Sequence, residues 1–197
     1  MTLKVKKLIL KNKLLVAIAS LVVSILGGCS SESQYVFWED LDKDTQNRTI
    51  NKKQVNKYAK SIYWGIERIT DNDDSFLLLN ELTSFEYNKH ITAFYYYIFG
   101  TICKASDGAM AECLGNYCLK ALIIAPEYNL IYFKRDYLLL KRYAELIGYE
   151  LAQNQNSLTN YCTLKNRIKE ISNRNEEIRD LCETLLNQID ENYANME

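Results

Sequence analysis

The sequence predicts an all-α protein, and three observations support this fold class. The 197 residues include one Pro and seven Gly, too few for the frequent tight turns of a β-sandwich. Apolar residues recur every three or four positions over most of the chain, which is the period of an amphipathic helix. The sequence contains no strand-like alternation of useful length. We therefore predict five or six amphipathic helices in antiparallel pairs, forming an array or bundle that ends in a long C-terminal helix.

The first 28 residues divide into the three zones of a secretory signal. Five lysines and no acidic residue occupy positions 4–13, an apolar run covers residues 14–26, and Gly27 and Gly28 close the segment. A helix of that apolar length spans roughly 20 Å, less than the ~30 Å hydrocarbon core of a bilayer. The run is therefore too short to be a good membrane anchor.

The residues Leu26-Gly27-Gly28-Cys29 resemble the lipobox of bacterial lipoproteins, which has a Leu, two small residues and a Cys. This resemblance implies diacylglycerol on the Cys29 sulfur, cleavage before Cys29 by a type II signal peptidase, and often a third acyl chain on the new amino group. Two or three chains hold a protein on a membrane where one does not, because each buried CH₂ contributes about 0.8 kcal/mol. Ser30 rather than Asp follows the Cys, which favours the outer membrane in enteric-type lipoproteins. The alternatives are an ordinary secreted protein and a retained N-terminal anchor.

Cleavage at this position divides the chain into a signal peptide (1–28), a lipidated Cys with its tether and loop (29–50), and a single all-α domain (51–197). The mature protein then carries 19 basic and 25 acidic side chains, a net charge of about −6. Such a charge predicts mild repulsion from anionic lipid and from nucleic acid, and argues against either as a ligand. The aromatic segment 35–38 either packs on the domain or lies at the membrane interface.

Helices are predicted in order from residue 51 onward. The first covers about 51–70, and an acidic turn at 71–74 caps a second that carries Phe76, Leu79 and Leu82. A third predicted helix follows the second and continues to about residue 104. The fourth begins near Met110 and stops before Pro126, since Pro disfavours helical geometry in the residue before it.

Two regular apolar stripes predict long helices over 127–153 and 158–193. The second stripe keeps its phase through residues 172–173, so one continuous helix is preferred to a hairpin there. This stripe either forms a coiled-coil seam, with Asn175 fixing the register, or packs on the core of its own domain. Residues 121–126 resemble the end of a tetratricopeptide repeat, and we find no convincing second copy.

Five cysteines remain besides Cys29, and an envelope location permits disulfides. Cys103 and Cys113 lie about equally far on either side of Gly108, so an antiparallel helix pair turning there would bring them together. Cys118 is a competing partner, and buried free thiols are the other alternative. We expect no metal or other cofactor beyond the covalent lipid, because no C-x-x-C spacing or His partner accompanies these cysteines.

The remaining motifs argue against an enzyme. His90 is the only histidine, and Glu86 one turn earlier is more commonly a surface partner than a catalytic one. The acidic segment 71–75 lacks the Gly and Glu of a calcium loop. Nucleophile and phosphate-binding motifs are absent from the sequence.

Three consecutive tyrosines, Tyr95, Tyr96 and Tyr97, are candidate interface residues. Successive helical positions are 100° apart, so at least one ring should approach solvent or another helix. We therefore hypothesise a non-enzymatic helical module, anchored by lipid to the outer membrane and facing the periplasm, that binds an envelope protein through these rings or the stripe at 164–189. The alternatives are an immunity-type lipoprotein that neutralises an envelope-targeted toxin, and a cell-wall or lipid hydrolase.

Overall fold

The computed structural model describes residues 35–196, and all regular secondary structure within this range is helical. Two short 3-10 helices cover Trp38–Asp40 and Glu176–Ile178. The nine α-helices are α1 (Lys43–Ile50), α2 (Lys57–Tyr63), α3 (Asp73–Leu82), α4 (Lys89–Ala105), α5 (Gly108–Ile124), α6 (Pro126–Arg135), α7 (Tyr137–Gln153), α8 (Gln155–Arg174) and α9 (Arg179–Ala194). The prediction of an all-α array that ends in a C-terminal helix is confirmed.

Helix α7 lies at the centre of the array and contacts α4, α5, α6, α8 and α9. Two glycines allow its closest approaches. A Cβ on Gly115 of α5 would lie 2.3 Å from the backbone oxygen of Leu146, and one on Gly148 of α7 would lie 2.6 Å from the Cβ of Asn192. Because no side chain fits in these gaps, the helix backbones pack nearly in direct contact.

The N-terminal aromatic segment packs on the domain. Trp38 is 2% exposed, and its ring centroid lies 4.9 Å from that of Phe94 and 5.9 Å from that of Tyr63. Asp40 accepts two hydrogen bonds from the guanidinium of Arg135, at 2.5 and 2.7 Å. The same guanidinium lies 4.6 Å from the ring centre of Phe37. This clamp joins the start of the described chain to α6.

The boundaries of the first helices differ from the prediction. Residues 39–50, which we expected to be a loop, contain α1, and the side chain of Asp42 caps it by accepting a hydrogen bond from the backbone N–H of Thr45 at 2.8 Å. The helix predicted over 51–70 is limited to α2. It ends before Gly65, whose φ of +68° suits glycine, so Ile66 leaves the apolar stripe and is 74% exposed.

Each of the two long helices predicted in the C-terminal half is instead a pair, so the preference for one continuous helix over 158–193 was wrong. Asp136 separates α6 from α7, and its side chain accepts a hydrogen bond from the N–H of Leu139 at 3.0 Å. Asn175 separates α8 from the 3-10 helix before α9 and accepts from the N–H of Glu177 at 3.0 Å. The apolar rhythm continues across both breaks because the helices on either side bury the same stripe against one core.

Candidate interaction surface

Tyr95 and Tyr96 are 1% exposed, so their prediction as interface residues was wrong. The Tyr95 hydroxyl donates to Glu81 at 2.7 Å and accepts from the N–H of Asn56 at 2.9 Å. The Tyr96 hydroxyl donates to Asn129 at 2.7 Å. Burial and the bond to Glu81 raise the pKa of Tyr95. These two hydroxyls link α4 to Glu81 of α3, to Asn56 before α2 and to Asn129 of α6.

Tyr97 is half-buried beside the N-terminal aromatic residues. Its ring centroid lies 6.2 Å from that of Tyr63 and 6.5 Å from that of Trp38. The other predicted contact region, the stripe at 164–189, is also internal, since Leu164, Leu185 and Ile189 are fully buried. Of the two interpretations of that stripe, packing on its own core is the observed one.

Cys103 lies beside Cys118 rather than Cys113, so the predicted pairing was wrong. The Cys103 and Cys118 sulfurs are 3.7 Å apart, and both side chains are fully buried free thiols. Five residues along a helix correspond to a rotation of roughly 140°, so Cys113 lies on another side of α5. Burial, followed by the hydrogen bond shared with Cys103, raises the pKa of Cys118. Cys29 lies outside the described residues.

The environment of His90 is basic. Partial burial, followed by the charges of Lys89, Lys52 and Arg48, lowers its pKa, and Asp42 opposes this change. Glu86, the acid named as its candidate partner, is exposed and contributes instead to raising the pKa of Tyr87. The charges that shift the pKa of His90 are therefore those of these other residues, and Glu86 is not among them.

Four cations form what we call the basic patch: Arg48, Lys52, Lys60 and Lys89. Arg48, Lys52 and Lys89 all act on His90. Lys60 joins them because its ammonium donates to the backbone oxygen of Lys52 at 3.1 Å. The patch combines the end of α1, the turn that follows it, α2 and the start of α4.

The acidic segment 71–75 begins α3. The side chain of Asn72 accepts a hydrogen bond from the N–H of Ser75 at 2.9 Å, and the Ser75 hydroxyl accepts from the N–H of Thr70 at 3.2 Å. Ser75 is fully buried. Within residues 35–196, no group of three His, Cys, Asp or Glu side chains is close enough to hold a metal ion.

An apolar turn follows α2. We use this name for residues 64–66, in which the side chains of Trp64 and Ile66 are 59% and 74% exposed. The Trp64 ring makes an edge-to-face contact with Tyr63, with 4.9 Å between the ring centroids. The remaining surface of that ring and the Ile66 side chain form an exposed apolar surface beside α2.

A cleft of roughly 650 Å³ opens between α2 and α3. Its walls carry charges of both signs, from Lys57, Arg68, Glu67 and Asp74. Leu77 on α3 also lines it and is 68% exposed. An open, mostly polar cleft of this kind fits the side chains of a protein partner better than a small apolar ligand, which prefers an enclosed apolar pocket.

The turn and the cleft were missed by sequence reasoning. The apolar stripe assigned Ile66 to a buried face, and the one local signal against this was Gly65, a residue that commonly ends a helix.

No protein-family model, curated protein or solved structure matches this chain. Among residues 35–196, none of the helices combines the length and apolarity needed to cross a bilayer.

Proposed function

We propose that this chain is a lipid-anchored protein of the bacterial outer membrane, facing the periplasm, whose helical body binds another envelope protein without catalysing a reaction. The observation that carries the proposal is the run Leu26-Gly27-Gly28-Cys29, placed directly after a lysine-rich segment and a short apolar stretch. Acylation of Cys29 provides the anchor, and Ser30 favours the outer membrane. The tether also raises the effective concentration of the body for partners in the same layer.

The cleft between α2 and α3 is the partner site in this proposal. Protein interfaces place apolar side chains at the centre and polar groups around them. Among the residues that line the cleft, Leu77 is apolar and 68% exposed, and Lys57, Arg68 and Asp74 are charged. A partner segment with an apolar side chain between residues of both charges complements this arrangement.

The anchor is tested by growing cells with an alkyne fatty acid and measuring the label on the purified chain. The wild-type protein should carry the label and begin at Cys29, whereas Cys29→Ser should remain unlabelled. An intact leader or a bare thiol at Cys29, seen by mass spectrometry, would contradict the proposal.

The partner site is tested in cells with a photo-crosslinking amino acid. Position 77 is the test site, and position 138 is the matched control, because Leu77 and Leu138 are 68% and 71% exposed on different helices. A discrete adduct should form from position 77 alone, and Arg68→Glu should reduce its yield. The cleft is not the partner site if both positions give the same adducts or if position 77 gives none.

A further inference from the structure

The charge of the mature chain is unevenly distributed. Residues 43–68 contain seven basic and two acidic side chains, although the mature chain as a whole has more acidic than basic residues. Repulsion from an anionic surface, expected from net charge, therefore applies to most of the body but not to this segment. Because charges separated by more than about 10 Å are screened at physiological salt, the local excess decides what this face attracts.

The basic patch and the apolar turn lie along the same face of α4. His90, Phe94 and Tyr97 are four and three positions apart, so they share one side of this helix. The charges of Lys89, Lys52 and Arg48 act on His90 at one end of this side, and the ammonium of Lys60 donates to the backbone oxygen of Lys52 at 3.1 Å. Tyr63 packs on Phe94 and Tyr97, with ring centroids 5.5 and 6.2 Å away, and supports Trp64. The two features are separated by roughly 10 Å along α4, since each helical residue rises about 1.5 Å.

Near the start of the described chain, Trp38 packs on this face by contacting Phe94, Tyr97 and Tyr63. Tyr35, three residues earlier, donates a hydrogen bond to Glu127 of α6. Trp38 is nine chain steps from Cys29, so the Cα atoms of these two residues are at most about 32 Å apart. A lipid at Cys29 therefore keeps this face within reach of the bilayer.

We propose that the body docks on an anionic phospholipid surface through the apolar turn and the basic patch. This inference rests on the lipid anchor of the proposed function. Trp side chains favour the headgroup region, where an apolar ring meets water, and Ile66 extends the apolar contact. Each lysine or arginine near an anionic leaflet increases the ratio of membrane-bound to free protein about fivefold. Docking would leave the adjacent cleft close to the membrane surface, where partners at the same membrane can reach it.

The chain contains its own reporter, because its two tryptophans differ in exposure. Trp64 is 59% exposed, whereas Trp38 is 2% exposed. We would reconstitute the acylated full-length protein in vesicles with brominated acyl chains, which quench only nearby tryptophans. Vesicles of phosphatidylglycerol with phosphatidylcholine should quench the emission and shift it to shorter wavelength, whereas phosphatidylcholine alone should do so much less. Trp64→Phe should abolish the quenching and leave the emission of Trp38.

A charge-reversal pair tests the basic patch. Lys52→Glu with Lys89→Glu should lower the ratio of docked to undocked protein by at least about 25-fold, because the loss of the two positive charges alone costs about fivefold each. The matched control is Lys141→Glu with Lys169→Glu, which makes the same change in net charge at exposed positions on α7 and α8 and should retain docking. Circular dichroism confirms that both variants are folded.

The outcomes separate this inference from the anchor itself. A chain with no acyl group on Cys29 refutes the proposed function. An acylated chain whose Trp64 is not quenched refutes docking and leaves the anchor intact. If the quenching is the same without phosphatidylglycerol, or the same in the double lysine variant as in the wild type, the anionic surface is not the ligand. A protein adduct from a crosslinker at Ile66, formed in place of lipid adducts, assigns the turn to a protein and overturns the inference.

Discussion

The N-terminal region (residues 35–82) and the C-terminal region (residues 108–194) are both helical, but they are held together differently. The N-terminal helices α1 to α3 have 7 to 10 residues and are joined by aromatic rings and side-chain hydrogen bonds. The C-terminal helices reach 20 residues and pack through aliphatic side chains and close backbone contacts at Gly115 and Gly148. The short capped helices of the N-terminal region are separated by turns, and one of these turns exposes Trp64 and Ile66.

This difference predicts that the two regions have different roles, one in binding and the other in stability. The proposed binding features, which are the apolar turn, the cleft and most of the basic patch, all belong to the N-terminal region. The centre of the array, α7, belongs to the C-terminal region. We therefore expect substitutions in the C-terminal interior to change stability, and substitutions on the N-terminal surface to change binding.

The largest effect should come from removing an aliphatic side chain from the C-terminal core. Leu164 is fully buried, so Leu164→Ala should lower the free energy of unfolding by about 2 to 5 kcal/mol. Leu77→Ala, at a 68% exposed position of the N-terminal region, should change it by less than about 0.5 kcal/mol. Urea denaturation measures the free energy of unfolding of both variants. Equal losses would contradict the different roles of the two regions.

The next effect should come from the glycine contact between α5 and α7. Gly115→Ala places a Cβ 2.3 Å from a backbone oxygen that cannot move independently, so the variant should lose about 2 to 3 kcal/mol. Gly100→Ala is the matched control, because its Cβ meets the flexible end of Leu139 at 3.1 Å and gains helix propensity of up to about 1 kcal/mol. Thermal unfolding should separate the two variants. A neutral Gly115→Ala would show that the two backbones can separate at little cost.

A disulfide between Cys103 and Cys118 should strengthen the junction of the two regions, where α4 meets α5. Glutathione disulfide should oxidise the two thiols, taking up their two protons and two electrons as it becomes two glutathione molecules. Peptide mapping should find Cys103 linked to Cys118, and the oxidised form should gain about 2 to 3 kcal/mol relative to Cys118→Ser. Cys113→Ser should still form the bond. A link from Cys103 to Cys113 would restore the pairing predicted from sequence and refute the observed contact.

The smallest effect should come from the clamp that joins the N-terminal segment to α6. Arg135→Ala removes the ion pair with Asp40 and the contact with Phe37, and should cost about 0.5 to 1 kcal/mol because the pair is exposed. The hydrogen bonds from Arg135 lower the pKa of Asp40, so their contribution is present above the ordinary carboxyl pKa and is lost as pH falls through the lowered value. The difference between wild type and variant should therefore shrink below about pH 4. A difference that stays constant into acid would assign the effect to Phe37 alone.

The helix boundaries that were predicted correctly are those marked by a local sequence signal. The capping turn before α3 is confirmed, as are the extent of α4 and the stop of α5 before Pro126. The missed boundaries lie at Asp136 and Asn175, where a polar residue ends one helix and caps the next. The apolar rhythm does not detect such a break, because two helices that pack on one core can keep the same phase.

A basic residue directly before each break was the available signal. Arg135 precedes Asp136, and Arg174 precedes Asn175, which is the usual order of a helix end followed by a helix start. The candidate surface was harder to predict. Side-chain type indicates that Tyr95 and Trp64 are both interface-prone, but only the packing around α4 decides that the first is buried and the second exposed.

The clamp at Arg135 also attaches the start of the described chain to α6 rather than to α1. Tyr35 donates a hydrogen bond to Glu127 at 2.8 Å, and Asp40 is held by Arg135, so both attachments lead to α6 near the middle of the domain. If Cys29 carries the proposed lipid, a force applied there would reach α6 through these two contacts before it reached α1, which follows them in the chain. The short N-terminal helices would then bear less of that force.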